Sequence, residues 1–187
     1  AEIARQRDAL IAGNARLDDA RRFLATVLSG ASTGNQGPDA RVGDLLRDAV
    51  QELEADPPAD PLTRAFTEQS IGQAVMSMGD LERGEALLRS AARALAALPE
   101  DDEARLDIDL DLAQLEFFKG RGANAEAALR GLLSRERSRA RAASASGPTA
   151  REGQIVNDLG AALRAQGRLD EARTAQQEAV AIRSAVH

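Results

Sequence analysis

The chain contains no cysteine, no tryptophan and no tyrosine, and its single histidine, His187, is the last residue. Without cysteine there is no disulfide framework, no thiolate zinc site and no sulfur nucleophile. One terminal histidine builds neither a Ser-His-Asp triad nor a histidine metal site, so the expectation is no enzyme, no metal and no cofactor. No run approaches the roughly 20 apolar residues of a membrane span, and the N-terminus lacks the apolar core of a signal peptide; direct membrane insertion is not expected. Acidic residues outnumber basic ones, 30 to 24, for a net charge of −6, which denies the chain the basic face that nucleic-acid binding by counterion release requires. Aromatics make up 2%, and β-branched residues are few. Sheets are therefore disfavoured, and abundant Ala, Leu, Arg and Glu favour helices. All but one of the basic residues are arginine, the exception being Lys119, a composition that fits a bacterium with a GC-rich genome. Because Ala1 already reads as helical, the chain is expected to be a piece of a longer polypeptide.

Ile3, Leu10, Leu17 and Leu24 recur every seven residues, with Ala20, Val27 and Leu28 in the same stripe, which reads as one long helix over 1–28. Gly13-Asn14 leaves a helical hairpin as the competing reading, since glycine costs a helix roughly 1 kcal/mol against alanine. Ser29 to Gly37 is small, polar and aperiodic, hence a loop, and Pro38 suits a new first helical turn. Val42, Leu45, Leu46, Ala49, Val50 and Leu53 then share one face of a helix that Asp56-Pro57-Pro58 ends. Asp60-Pro61 looks like the cap and first residue of the next.

Beyond Asp60 the chain repeats itself. Ile71-Gly72, Val75, Gly79, Gly84, Leu88 and Ala91 reappear at the same intervals as Leu112-Ala113, Glu116, Gly120, Ala125, Leu129 and Leu132, and again as Leu159-Gly160, Leu163, Gly167, Ala172, Gln176 and Ala179. Small residues at the second and fifth of these positions let two helices approach closely, and the glycine between them ends the first helix in a left-handed conformation. Each copy is a helix-turn-helix hairpin that must stack on a neighbour to bury its apolar face. The acidic run from Pro99 to Glu103 is read as a first helical turn complementing the dipole in preference to a metal site. Arg135, Arg137, Arg139 and Arg141 close a helix, with an anion-binding patch as the alternative. Ser138 to Pro148 is read as a flexible linker, and Thr149 with Glu152 as a capping box. The carboxylate pairs Asp107/Asp111 and Asp18/Asp19 are read as solvated helix faces.

At the Leu-Gly, Gly and Ala positions just quoted, residues 62 to 187 resemble the tetratricopeptide repeat (TPR) family. They depart from it in carrying Glu68, Asp109 and Val156 where the family has tryptophan, and in beginning copies at 71, 112 and 159 in place of a period of 34. The resemblance implies an all-α, TPR-like α-solenoid of antiparallel helix pairs, about eight helices in one continuous structural domain. Its parts would be an N-terminal helical pair over 1–60 and three TPR-like pairs over 61–187.

Gln6-Arg7-Asp8, Ala20-Arg21-Arg22-Phe23-Leu24, Val42-Gly43-Asp44-Leu45-Leu46 and Ala49 are moreover similar to the segment following the membrane span in bacterial Ser/Thr protein kinases with C-terminal TPRs. That similarity implies a kinase upstream, a single span, and a periplasmic position for this chain, which lacks the kinase's own motifs. Some bacterial transcriptional regulators share the layout, with a DNA-binding domain in the kinase's place and a cytoplasmic location.

The function expected is recognition of a protein or peptide ligand in signal transduction, with the seven-residue stripe suited to transmitting rotation or forming a homodimer. In the family the binding groove lies on the first helices of the pairs. Here that face carries Phe66, Gln69, Gln73 and Met76, then Asp107, Leu110, Gln114 and Phe117, then Gln154, Asn157 and Arg164. Phe66, Met76 and Phe117 would serve as apolar anchors and the amides as backbone partners, while one of Phe117 and Phe118 is expected to fill core. Asn157 and Arg164 also resemble part of the family's carboxylate clamp.

Overall fold

The computed structural model describes residues 42–100, 102–143 and 147–186, apart from the side chains of Val42 and Leu45. The 1–28 helix, the loop to Gly37, the start at Pro38 and Asp18/Asp19 lie outside the described residues. Among those described there are seven α-helices and no strand: α1 (Val42–Ala55), α2 (Pro61–Ser77), α3 (Leu81–Ala94), α4 (Glu103–Phe118), α5 (Gly122–Ala142), α6 (Ala150–Ala165) and α7 (Leu169–Val186). The chain divides into two compact units, Ala1–Leu95 and Ala96–His187. The first holds α1 and the α2–α3 hairpin; the second holds the α4–α5 and α6–α7 hairpins.

Three turns close the three hairpins in the same way. Gly79, Gly120 and Gly167 have φ of 93°, 73° and 77°, a region that glycine enters without steric cost. In each turn the glycine N–H donates to the carbonyl three residues back, at 2.9, 2.9 and 3.0 Å. The next N–H donates to the carbonyl five back, at 3.2, 2.9 and 3.1 Å. This double bond pattern is the Schellman motif, which satisfies the last carbonyls of a helix and reverses the chain.

Small residues then set the spacing within the hairpins. A methyl group at Gly72 would come within 3.3 Å of Leu87 Cβ and 3.4 Å of the Gly84 carbonyl, and one at Gly160 within 3.0 Å of Gln176 Cγ and 3.3 Å of the Ala172 carbonyl. Ala113 and Ala125, at the same places in the middle copy, are 1% and 0% exposed. The backbones therefore touch where the repeat pattern puts its small residues.

Caps define the starts. Asp60 accepts from Thr63 N at 2.8 Å with Pro61 in the first turn, Asp80 from Arg83 N at 3.1 Å, and Asp102 from Ala104 N at 3.0 Å. The acidic run thus supplies the cap of α4, with Glu103 in its first turn. Thr149 accepts from Glu152 N at 3.0 Å, but the capping box is only half made, because the Glu152 carboxylate turns to Arg137 at 2.7 Å. The segment read as a linker from Ser138 is helical through Ala142, since Arg and Ala are strong helix formers and Arg139 pairs with Glu136 one turn back.

In the first unit Ala49, Val50 and Leu53 of α1 pack with Ile71, Val75 and Leu87, and Leu46 is partly buried beside them. In the second, Leu106 and Leu110 of α4, Leu129 and Leu132 of α5, Ile155, Leu159 and Leu163 of α6, and Ala179 and Ile182 of α7 share one core. α1, α5 and α7 each bury one stripe and expose the opposite one, whereas α4 buries two, Leu106, Leu110 and Ala113 on one face and Ile108, Asp111 and Leu115 on the other.

Close backbone contact makes a comparison of two glycines informative. Gly160→Leu is expected to lower stability by roughly 1–3 kcal/mol through overpacking, whereas Gly131→Ala, on α5 with nothing within 4 Å, is expected to raise it by about 0.4–1 kcal/mol. Urea unfolding midpoints measure both, and a neutral Gly160→Leu would contradict the assigned contact.

Candidate functional site

The second unit carries a depression of about 190 Å³ between α4 and α6, the first helices of two successive pairs. Ala113, Gln114, Phe117 and Phe118 come from α4, Asp158 and Ala161 from α6, and the buried Leu129 of α5 completes its wall. Adjacent helical residues diverge by about 100°, so the two phenylalanines part company. Phe117 packs against the core while Phe118 remains 58% exposed, their rings meeting edge to face with centroids 5.7 Å apart. Ala161 and Ala113 are small, which leaves the space open. Gln114 Nε2 donates to Asp158 Oδ2 at 2.7 Å, and Asn157 Nδ2 donates to Asp158 Oδ1 at 3.3 Å, so a polar rung crosses from α4 to α6 beside an apolar recess. This mixture of exposed aromatic edge and fixed amide suits an apolar side chain and the peptide backbone that carries it.

The other residues expected in the groove fall into several environments. Leu110 is 4% exposed and belongs to the core, so the groove assignment is corrected there: its direction on α4 takes it inward, into the cluster that holds Leu129 and Leu132 of α5. Asp107 takes Arg151 Nε at 2.9 Å, joining a charge network in place of facing a ligand. Gln154 and Asn157 are exposed and line a shallow hollow of about 280 Å³ with Gly153, Arg183 and Val186, and Arg164 is exposed at the end of α6. In the first unit Phe66 is 50% exposed and Gln73 exposed, while Gln69 is half-buried. Met76 is corrected too, for its thioether lies over Gly84, whose missing side chain makes room for it. Phe118, Asp158 and Ala161 were not anticipated. The signal for Phe118 was its place beside Phe117, but the sequence alone did not say which ring turned inward.

Three of the arginines closing α5 are held by carboxylates. Arg135 Nη1 pairs with Asp109 at 2.7 Å, and Arg137 with Glu152 and Glu178, both at 2.7 Å. Arg139 clasps Glu136 through Nε and Nη2 at 3.0 and 2.9 Å. These three guanidiniums are engaged within the fold, which takes them from an anion-binding patch, while Arg141, the fourth, is exposed at the end of α5. Glu136 is fully buried and also accepts from Thr149 Oγ1 at 2.6 Å, with Arg151 Nη1 at 3.6 Å. Burial by itself would push its carboxyl up; the bonds from Arg139 and Thr149 and the charges of Arg139 and Arg151 outweigh that and hold it below the ordinary range. Asp111, read as solvated, is also buried.

No protein-family model matches the chain, and no curated protein matches it by sequence. Solved structures do. BtubC (BKLC) from P. vanneervenii superposes with a TM-score of 0.61 at 16% identity, covering 89% of this chain and 74% of that one. One crystallised form of a candidate kinesin light chain from Podosopora anserina, with nearly identical TPR-like repeats, gives a TM-score of 0.59 at 18% identity over 98% of this chain and 92% of that one. Another crystal structure of the latter protein gives 0.57 at 16% identity over the same shares. The fold is therefore all-α and TPR-like.

A carboxyl held below its ordinary value near 4.5 binds its proton less readily folded than unfolded. Its contribution to stability is complete above that value and is lost as pH falls through the folded one. Glu136→Gln is accordingly expected to be less stable than the parent by about 1–3 kcal/mol near neutrality, with the difference shrinking as pH drops below about 4.5. Urea melts across that range check this; a difference independent of pH would remove Glu136 from the account.

Proposed function

We propose that this chain is a docking module whose ligand is a protein or peptide segment bound along the α4–α6 recess. The observation that carries this reading is the juxtaposition of the exposed Phe118 edge, the open space above Ala113 and Ala161, and the Gln114–Asp158 rung. An apolar side chain would seat against Phe117 and Phe118 while its backbone exchanges hydrogen bonds with Gln114 and Asn157, the way a groove obtains affinity from an anchor and direction from amides. Gln154 and Arg164, exposed on the same helix, would extend the contact along the ligand. The TPR-like fold supports a recognition role, and with no cysteine and His187 as its one histidine the sequence offers no cysteine nucleophile and no Ser-His-Asp triad.

In its cellular setting we place the module as the sensory or docking region of a bacterial membrane-anchored Ser/Thr kinase, on the periplasmic side of the inner membrane. Occupancy would be relayed through the seven-residue stripe of 1–28 by rotation or homodimer formation. The motifs at 6–8, 20–24 and 42–49 support this placement. Coding sequence ahead of Ala1 that specifies a kinase and one apolar span would sustain it; a DNA-binding helix-turn-helix there would transfer the module to a transcriptional regulator.

Selection of a random peptide display library on the full chain tests the docking reading. Enrichment of peptides sharing an apolar anchor is expected, with binding weakened at least about ten-fold by Ala161→Arg, which fills the recess from an accessible position. Selected peptides indifferent to Ala161→Arg and Phe118→Ala would contradict it.

A further inference from the structure

Among the described residues that line the α4–α6 recess, Asp158 alone carries a charge. The rest of the lining is alanine, phenylalanine, leucine and the neutral Gln114, so nothing in the recess offsets that negative charge. Asp158 is itself only half-buried, which keeps its carboxylate ionised at the edge of an otherwise apolar space.

Other carboxylates that reach between helices of this unit hold an arginine. Asp109 pairs with Arg135 at 2.7 Å, Glu126 with Arg168 at 2.6 Å and Glu152 with Arg137 at 2.7 Å. Asp158 has two amides instead. Its Oδ2 accepts from Gln114 Nε2 at 2.7 Å, a short bond that fixes the group across the helices. Its Oδ1 accepts from Asn157 Nδ2 at 3.3 Å, beyond the roughly 2.7–3.2 Å of a full N–H···O bond. An ionised carboxylate has about four lone-pair sites, so acceptor capacity remains on both oxygens, and most on Oδ1. Amides orient the charge without neutralising it. Arg164, the next cation along α6, begins roughly 9 Å further along the helix axis and is exposed to water, where its charge is screened.

We propose that the segment bound in the α4–α6 recess carries a basic residue, arginine or lysine, at a fixed spacing from its apolar anchor, and that this residue pairs with Asp158. The proposal rests on the docking reading of the recess and adds the ligand's charge to it. The anchor takes the space above Ala113 and Ala161. The Phe118 ring, 58% exposed, offers an apolar surface to the methylenes of the basic side chain, whose head group then donates to Asp158. Such a donor uses the spare acceptor capacity of Oδ1 and leaves the Gln114 bond in place. An acidic residue at that point would meet a like charge beside apolar walls, which is repulsive, and a neutral one would leave the carboxylate to water. The spacing is fixed because the anchor site and Asp158 stand on two helices tied together by the Gln114–Asp158 rung.

The test is selection of a random peptide display library on the full chain, followed by synthesis of the enriched peptides with their basic residue kept or replaced by Gln or Glu. Enriched peptides are expected to share lysine or arginine at one spacing from the apolar anchor. Replacement by Gln should weaken binding about ten-fold, and replacement by Glu further. Asp158→Asn keeps an acceptor for Gln114 and removes the charge; it should weaken the basic peptide by the same factor and make it indifferent to the Gln replacement. Asp158→Lys should reverse the preference, so that the Glu peptide binds better than the basic one. Added salt should weaken the basic peptide and leave its Gln form unchanged. Peptides that depend on the recess, as Ala161→Arg reveals, yet carry no basic residue at a fixed spacing or bind Asp158→Asn equally well would overturn the proposal and leave the docking reading standing. Peptides indifferent to Ala161→Arg, or no enrichment at all, would overturn both.

Discussion

The close approach of two helix backbones within each hairpin is the constraint from which the rest of this structure follows. Gly72 against Gly84 and Gly160 against Ala172 bring carbonyl and Cα surfaces within van der Waals range, and only small residues permit it. Once the pair is that tight, the large side chains cannot lie between its members and are pushed to its faces. Leu129 and Leu132 meet Leu106, Leu110 and Ile155 in this way, giving the second unit one core across both of its hairpins. The left-handed glycines complete the arrangement, because a turn closed by two hydrogen bonds fixes the start of the second helix relative to the end of the first.

Charge then adds specificity where apolar packing is indifferent. Glu136 of α5 is fully buried with Arg139, Thr149 and Arg151 on its two oxygens, and Arg151 of α6 continues to Asp107 and Glu103 of α4. A buried pair of this kind contributes little net stability compared with hydrocarbon, yet it leaves α4 and α6 one favourable register. That register sets Gln114 opposite Asp158 and opens the recess between them. The same reasoning separates Glu136 from Glu68: the first is satisfied on both oxygens and is a fastening, the second on one alone.

Much of the fold was legible in the sequence because its signals are local. Glycine at 79, 120 and 167, small residues at 72, 113 and 160, and Asp or Thr ahead of the helices each act within one turn, and each did in the structure what its spacing implied. The site was less legible because it depends on directions that differ by one residue. Phe117 and Phe118 are equivalent in composition, and only packing within the second unit decides which ring is exposed. Leu110 falls on the groove face by spacing alone, and its contact with the α5 leucines makes it core. Arg135, Arg137 and Arg139 read as a cationic cluster, and their carboxylate partners lie as far as 41 residues away in sequence, beyond the reach of any periodicity. Glu68 shares its repeat position with Asp109 and Val156, and only three dimensions show that it is buried with one oxygen paired and the other not.

The central claim is that a partner seats between α4 and α6. The measurement that meets it most directly is amide and methyl shift mapping of the full chain as a display-selected peptide is added. The account requires the largest changes at Ala113, Gln114, Phe117, Phe118, Asp158 and Ala161. Changes confined to the outer faces of α5 and α7, with those six residues silent, would contradict it.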